Sequence, residues 1–169
     1  MKKALVLLSL FCLLLFGGCR APAPEPPEGS CQLYYVAVGE GNWSGALASE
    51  AYLPLEGADR LESLLNGLFR GPSSPELRSP IPAGTHVKTL ELELGVVYLD
   101  LSESYAGLFG IEQTLADACI TLTLCQLEEV DGVSIMVDGR QLLYQSQEIL
   151  SPSLYILEEI TVDSESRNK

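Results

Sequence analysis

The chain has 169 residues, with 23 Asp and Glu against 10 Lys and Arg and a formal net charge of −13. A surface this acidic repels nucleic-acid phosphates and anionic lipid head groups, so no nucleic acid is expected among its partners. The length suits one domain with a real core.

Met1-Lys2-Lys3 forms a short basic head, and Ala4 to Phe16 is an almost wholly apolar run. A membrane-spanning helix needs about 20 apolar residues. This run instead stops at Gly17-Gly18-Cys19, small residues of the kind a signal peptidase accepts. Residues 1–18 are therefore expected to be a lipoprotein signal peptide. Leu15-Phe16-Gly17-Gly18-Cys19 resembles the bacterial lipobox, which implies that Cys19 is diacylated and becomes the mature N-terminus. Stable attachment needs about two hydrophobic anchors, which a diacylglyceryl group plus an amine-linked chain supplies. The expected location is the outer face of the cytoplasmic membrane, with the membrane itself a partner through Cys19. Residues 19–30 follow as a tether. Four prolines and two glutamates between Arg20 and Ser30 leave nothing to fold, and such chain extends at about 3 Å per residue.

Cys12 leaves with the leader and Cys19 is the lipidation site, so Cys31, Cys119 and Cys125 remain. An exported chain with three cysteines usually carries one bridge and a spare thiol. Free cysteine is also among the most buried residue types, and the apolar surroundings of all three favour buried thiols. No spacing among them matches a metal site, so neither a metal nor a cofactor is expected.

From Cys31 the aromatic and branched run Cys-Gln-Leu-Tyr-Tyr-Val-Ala-Val predicts a first strand. The glycine-rich stretch from Gly39 to Gly45 has the wrong spacing for a phosphate loop and predicts a hairpin connection into a strand over Leu47 to Leu55, ended by Pro54. Trp43 on that connection is a candidate interface anchor, with a hairpin-capping core role as the alternative. Asp59 and Glu62 have capping-box spacing. Leu61, Leu64, Leu65, Leu68 and Phe69 then make one helical stripe, which Gly71-Pro72 ends.

Residues 72–84 predict a loop with prolines at 72, 75, 80 and 82. Val87 to Leu94 and Val97 to Leu101 both alternate by two around Gly95. This predicts an antiparallel hairpin with Leu90, Leu92, Leu94, Val97, Leu99 and Leu101 toward the core and Glu91 and Glu93 outward. Residues 111–127 predict a helix with one stripe of Ile111, Leu115, Ala118, Cys119, Leu122 and Cys125. A second strip of Ile120, Leu124 and Leu127 lies roughly opposite. That second strip either packs under the C-terminal segment or is a candidate interaction surface. Val133 to Val137 predicts a closing strand, and Asp138-Gly139 a turn. Gln141 to Ile160 has apolar residues enough for a covering strand or turn of helix, and 161–169 is expected to be a disordered tail.

The fold class expected is α+β, a two-layer sandwich with a mixed or antiparallel sheet covered on one face by two helices. The order is β-α-β-β-α-β with an extra early hairpin, in a domain spanning 31–160.

The segments "LFRGPSSPELRSPIPAGTHVKTLELELGVVYLDLS" and "TLTLCQLEEVDGVSIMVDG" resemble the GerMN domain family of sporulation and spore germination proteins. Their helix-ending Gly-Pro, Ile-Pro-x-Gly-Thr, Val-Tyr-Leu-Asp-Leu-Ser and Val-Asp-Gly carry the likeness, over about residues 31–139. There is room for one such unit, and Leu124-Cys125-Gln126 stands where the family usually has an aromatic or proline after Thr-Leu-Thr. The resemblance implies a non-catalytic protein-interaction or assembly module in sporulation or germination. Its expected partners are other envelope or sporulation proteins, and the family brings no catalytic residues to carry over.

The residues agree that no enzyme is visible. His86 opens a strand beside Lys88 with no acid and nucleophile around it in sequence, and Ser44 lacks the G-x-S-x-G elbow. Glu128, Glu129 and Asp131 offer about half of the 6 to 8 oxygens that Ca²⁺ takes. The second reading is an envelope-polymer- or substrate-binding lipoprotein, accessory to a transporter or cell-wall enzyme. Assembly predicts an apolar or edge-strand patch, and ligand binding a concave polar pocket. Nothing in the sequence sets the oligomeric state.

Overall fold

The computed structural model describes residues 27–39, 47–55, 57–142 and 148–155. Cys19, Trp43, Ser44, the signal-peptide region, most of the Pro-rich stretch and residues 156–169 lie outside the described residues. The elements are β1 (Cys31–Ala37), β2 (Leu47–Tyr52), α1 (Arg60–Arg70), β3 (Leu77–Arg78), β4 (Val87–Glu93), β5 (Val96–Leu101), α2 (Gly110–Leu124), β6 (Gly132–Val137) and β7 (Arg140–Gln141). The fold is α+β, with the expected early hairpin and the expected helix-strand-strand-helix-strand order.

The strands divide between two sheets rather than sharing one. The first runs β2-β1-β3 and the second β4-β5-β6-β7. β1 and β2 pair antiparallel from Cys31↔Tyr52 to Val36↔Leu47. β3, inside the segment expected to be all loop, pairs with only Val36 and Ala37; two residues are too few to leave a periodic signal in a proline-rich stretch. β4 and β5 form the predicted hairpin. β6 returns parallel to β5 after the α2 crossover, in register from Val96↔Gly132 to Leu101↔Val137.

α1 starts where predicted: the Asp59 carboxylate accepts from the Glu62 N–H at 2.9 Å, satisfying a first-turn amide. Its stripe buries Leu64, Leu65 and Leu68, with Leu61 and Phe69 half-buried at the margins. Gly67 lets α1 approach the first sheet closely, since a Cβ there would sit 3.0 Å from Leu33 Cδ1 and from Tyr52 Cζ.

α2 is the element the two sheets share. It packs against β1 and α1 on one side and β6 on the other, and every residue from Ala116 to Leu124 is buried. A helix enclosed all round has no single apolar stripe, which is why two opposed strips appear in its sequence. The segment after β7 adds a bridge between Leu150 and Val133 and a 3₁₀ turn at Pro152–Leu154 that touches α2.

Two predicted core positions are corrected. Leu94 is fully exposed and occupies the hairpin turn with Gly95, at φ values of 48° and 82°. Leu92 is 41% exposed at the sheet edge, whereas its partner Val97 and the next inward residue Leu99 are completely buried. Period-two alternation gives the face of a residue, not whether a helix covers that part of the face.

Candidate functional site

Ile120, Leu124 and Leu127 are corrected from a candidate interaction surface to core. Their exposures are 0%, 0% and 3%, and they belong to one cluster with Leu99, Ile135 and Leu150. The strip is covered within the chain, by β-sheet and by the C-terminal segment as the alternative reading had it. Ile111, placed on the first strip, is exposed at the start of α2.

His86 is exposed, with its backbone N–H donating to Ser102 Oγ at 3.1 Å. Lys88 Nζ donates to Asp138 Oδ1 at 2.8 Å across the sheet end. Glu128, Glu129 and Asp131 are exposed, and among the described residues no three of His, Cys, Asp and Glu gather as a metal site would require. Cys31 and Cys119 are buried and Cys125 half-buried. Burial pushes the Cys119 thiol up to about 12 and the Cys125 thiol up to about 11, so neither supplies a thiolate nucleophile near neutral pH.

Gln126, at the departure from the family pattern, has a structural task. β3 reaches only the far end of β1, and side chains of α2 and its C-terminus take up the rest of that edge. Gln32 N–H donates to Gln126 Oε1 and Gln126 Nε2 donates to the Gln32 carbonyl, both at 2.7 Å. Tyr34 N–H donates to Thr123 Oγ1 at 3.1 Å. The side-chain amide thus replaces a strand, satisfying backbone groups that would otherwise lack partners.

The edge of the second sheet is treated differently. Between β4 and α1 lie two adjoining hollows of about 380 and 590 Å³ that share Glu62 and Leu90. Leu61, Leu65, Phe69, Leu90 and Leu92 make the apolar floor. The rim carries Asp59, Glu62 and Glu129 with Arg60 at one end, and His86 and Lys88 at the other. Arg60 is exposed, and its Nη2 donates to Cys31 Sγ at 3.3 Å. The main helix packing is of α2 on β1 and β6 and of α1 on β1, and the groove lies where α1 passes beside β4.

A third hollow, of about 620 Å³, opens between the 3₁₀ turn at Glu103–Gly107, the start of α2 and β7. Leu108, Phe109, Val137 and Leu142 line it, with Glu103, Gln113, Asp138, Arg140 and Gln141 as polar groups. Gln113 is 5% exposed and its Nε2 has no hydrogen-bond partner among the described residues. Deeper, Asp117 is pushed up to about 6 by burial, partly offset by the Tyr105 hydroxyl that donates to it at 2.7 Å. Burial also raises the Tyr105 hydroxyl well above its ordinary range. The pair is part of the buried interior.

An α+β domain of two helices and two sheets, with the β4 edge uncovered among the described residues, is the class that the fold defines. The family model described as Germane, sporulation and spore germination, matches residues 32–143, and the chain belongs to that family. Among solved structures it is similar to the tandem GerMN domains of the sporulation protein GerM from Bacillus subtilis. There the TM-score is 0.58 and the identity 17%, over 78% of this chain and 51% of that one. The first GerMN domain of the same protein gives a TM-score of 0.58 and 16% identity, over 73% of this chain and 98% of that one. The likeness to these structures is one of fold, and the chain spans about half the length of the tandem structure. No curated protein matches the chain significantly.

Proposed function

We propose that the protein is a lipid-anchored extracytoplasmic module that acts by protein contact, without catalysis, in sporulation or spore germination. The observation that carries this reading is the family match over residues 32–143. The lipobox-like Leu15 to Cys19 and the proline-rich residues that follow support attachment to the outer face of the cytoplasmic membrane.

The test is the heat-resistant spore yield, and the germination rate of those spores, in the producing organism with this gene deleted. The deletion is complemented by the wild type and by Cys19→Ala. A large drop rescued only by the lipidatable chain is expected; normal yield and germination in the deletion strain would contradict the reading.

One observation favours the alternative of an envelope-polymer- or substrate-binding accessory lipoprotein: Gln113 lines the same hollow as Arg140, and its buried Nε2 has no partner among the described residues. Saturable binding of solubilised cell-wall fragments by the full chain, lost in Gln113→Leu, would support that alternative over assembly.

A further inference from the structure

We infer that the groove between β4 and α1 takes an extended segment of another protein, added as a fifth strand at the β4 edge, with apolar residues alternating with Lys or Arg. This rests on the reading of the protein as a contact module and names the form of its partner.

The backbone supplies the first reason. Leu94 and Gly95 form a two-residue turn with both φ values positive, so Glu93 and Val96, which flank it, are a hydrogen-bonded pair. Pairing alternates along an antiparallel ladder. Glu91 opposite Tyr98 is then bonded to β5, while Leu90 and Leu92 turn their N–H and C=O groups toward the open edge. The register shift between Val87 and Thr89 distorts the start of β4 but lies upstream of these residues. Among the described residues β4 is terminal in its sheet. The β1 edge contrasts with it, because there Gln126 and Thr123 take up the outward groups.

The second reason is the floor. Leu90 and Leu92 share the inward face with Val97 and Leu99, but Leu92 is 41% exposed. An added strand would lie under α1, and its inward side chains would cover Leu61, Phe69, Leu90 and Leu92 together. Main-chain bonds to an edge with alternate side chains in pockets are the signature of strand addition. An open, apolar edge left without such a partner would invite aggregation.

The third reason is charge. Asp59, Glu62 and Glu129 rim the groove, and Glu91 and Glu93 stand exposed on the outer face of the same strand. Arg60 is engaged with Cys31 and Lys88 with Asp138. An incoming strand with basic residues at its outward and rim positions meets these carboxylates at the Leu92 end of the groove, away from His86 and Lys88, whereas an acidic strand is repelled there. A second copy of this chain, with net charge −13, fits poorly.

The test uses the full chain to select binders from a random library of twelve-residue peptides. Enriched peptides are expected to alternate apolar and basic residues and to slow amide hydrogen exchange at Leu90 and Leu92. Their affinity is expected to fall about tenfold or more in Leu92→Lys, which charges the floor, and in Leu90→Pro, which removes an outward N–H. Affinity should also weaken with salt. If Leu90→Pro does not fold, Leu92→Lys and the exchange map decide alone. A library without binders, binders without the alternation, protection elsewhere, or affinity unchanged in Leu92→Lys would each overturn the proposal. A dimer of this chain protected at β4 would also overturn it. None of these results depends on the spore phenotype, so the groove can fail while the contact-module reading stands.

Discussion

The Tyr105 hydroxyl donates to the Asp117 carboxylate across 2.7 Å inside the core, where the two residues are 0% and 4% exposed. Burial dominates over this bond and pushes the Asp117 carboxyl from 3.8 up to about 6. The native chain therefore holds that proton more tightly than the unfolded chain. Its contribution favours the fold below about pH 4 and is lost as pH rises to about 6, by up to about 3 kcal/mol. Asp117→Asn keeps an acceptor for Tyr105 and removes the titration. Relative to wild type, urea midpoints of the variant should improve between pH 4 and pH 7.5; a pH-independent difference would contradict this assignment.

Gly67 marks the closest approach of α1 to the first sheet. A Cβ there meets Leu33 and Tyr52 at 3.0 Å, while replacing glycine in a helix gains about 1 kcal/mol in propensity for alanine. The two effects nearly offset in Gly67→Ala. Gly67→Val adds two further methyls and a smaller propensity gain, so a net loss of about 2 kcal/mol is expected by chemical denaturation. A stabilised Gly67→Val would show that the helix can move away from the sheet.

Removing the Gln126 amide exposes both Gln32 backbone groups that it pairs. Gln126→Ala is expected to cost about 1 to 2 kcal/mol. The Gln32 amide should exchange faster than the amides of β1 bonded to β2. Equal protection in variant and wild type would mean that another group replaces the side chain.

Ile120 and Leu124 are fully enclosed, so truncation acts on the fold. Ile120→Ala and Leu124→Ala should each lower stability by about 2 to 5 kcal/mol. Full stability with reduced partner binding would return these residues to the surface.

The sequence carried the elements whose signals are local. Asp59 and Glu62 mark the start of α1 through the amide that Asp59 caps, and alternation around Gly95 marks the β4–β5 hairpin. What it could not carry depends on neighbours distant in the chain. Leu90, Leu92 and Leu99 are identical in type and share one face, yet Leu99 is buried and Leu92 is open because only tertiary packing decides where a helix ends its cover. The same holds for α2, whose second strip has the pattern of a surface until β1, α1 and β6 close round it. The division into two sheets is equally non-local: among the described residues β1, β2 and β3 pair with one another and with none of β4 to β7. The candidate groove was half legible: the edge-strand residues were in view, but the α1 residues across from them come from a segment some thirty positions earlier.

The most direct measurement of the central claim is spore yield in the deletion strain complemented by Leu92→Lys. Membrane levels and thermal stability of the variant are checked to match wild type. Loss of heat-resistant spores to the level of the deletion would tie the β4 groove to the function through protein contact. Wild-type yield from Leu92→Lys, in a strain where the deletion itself is defective, would contradict it.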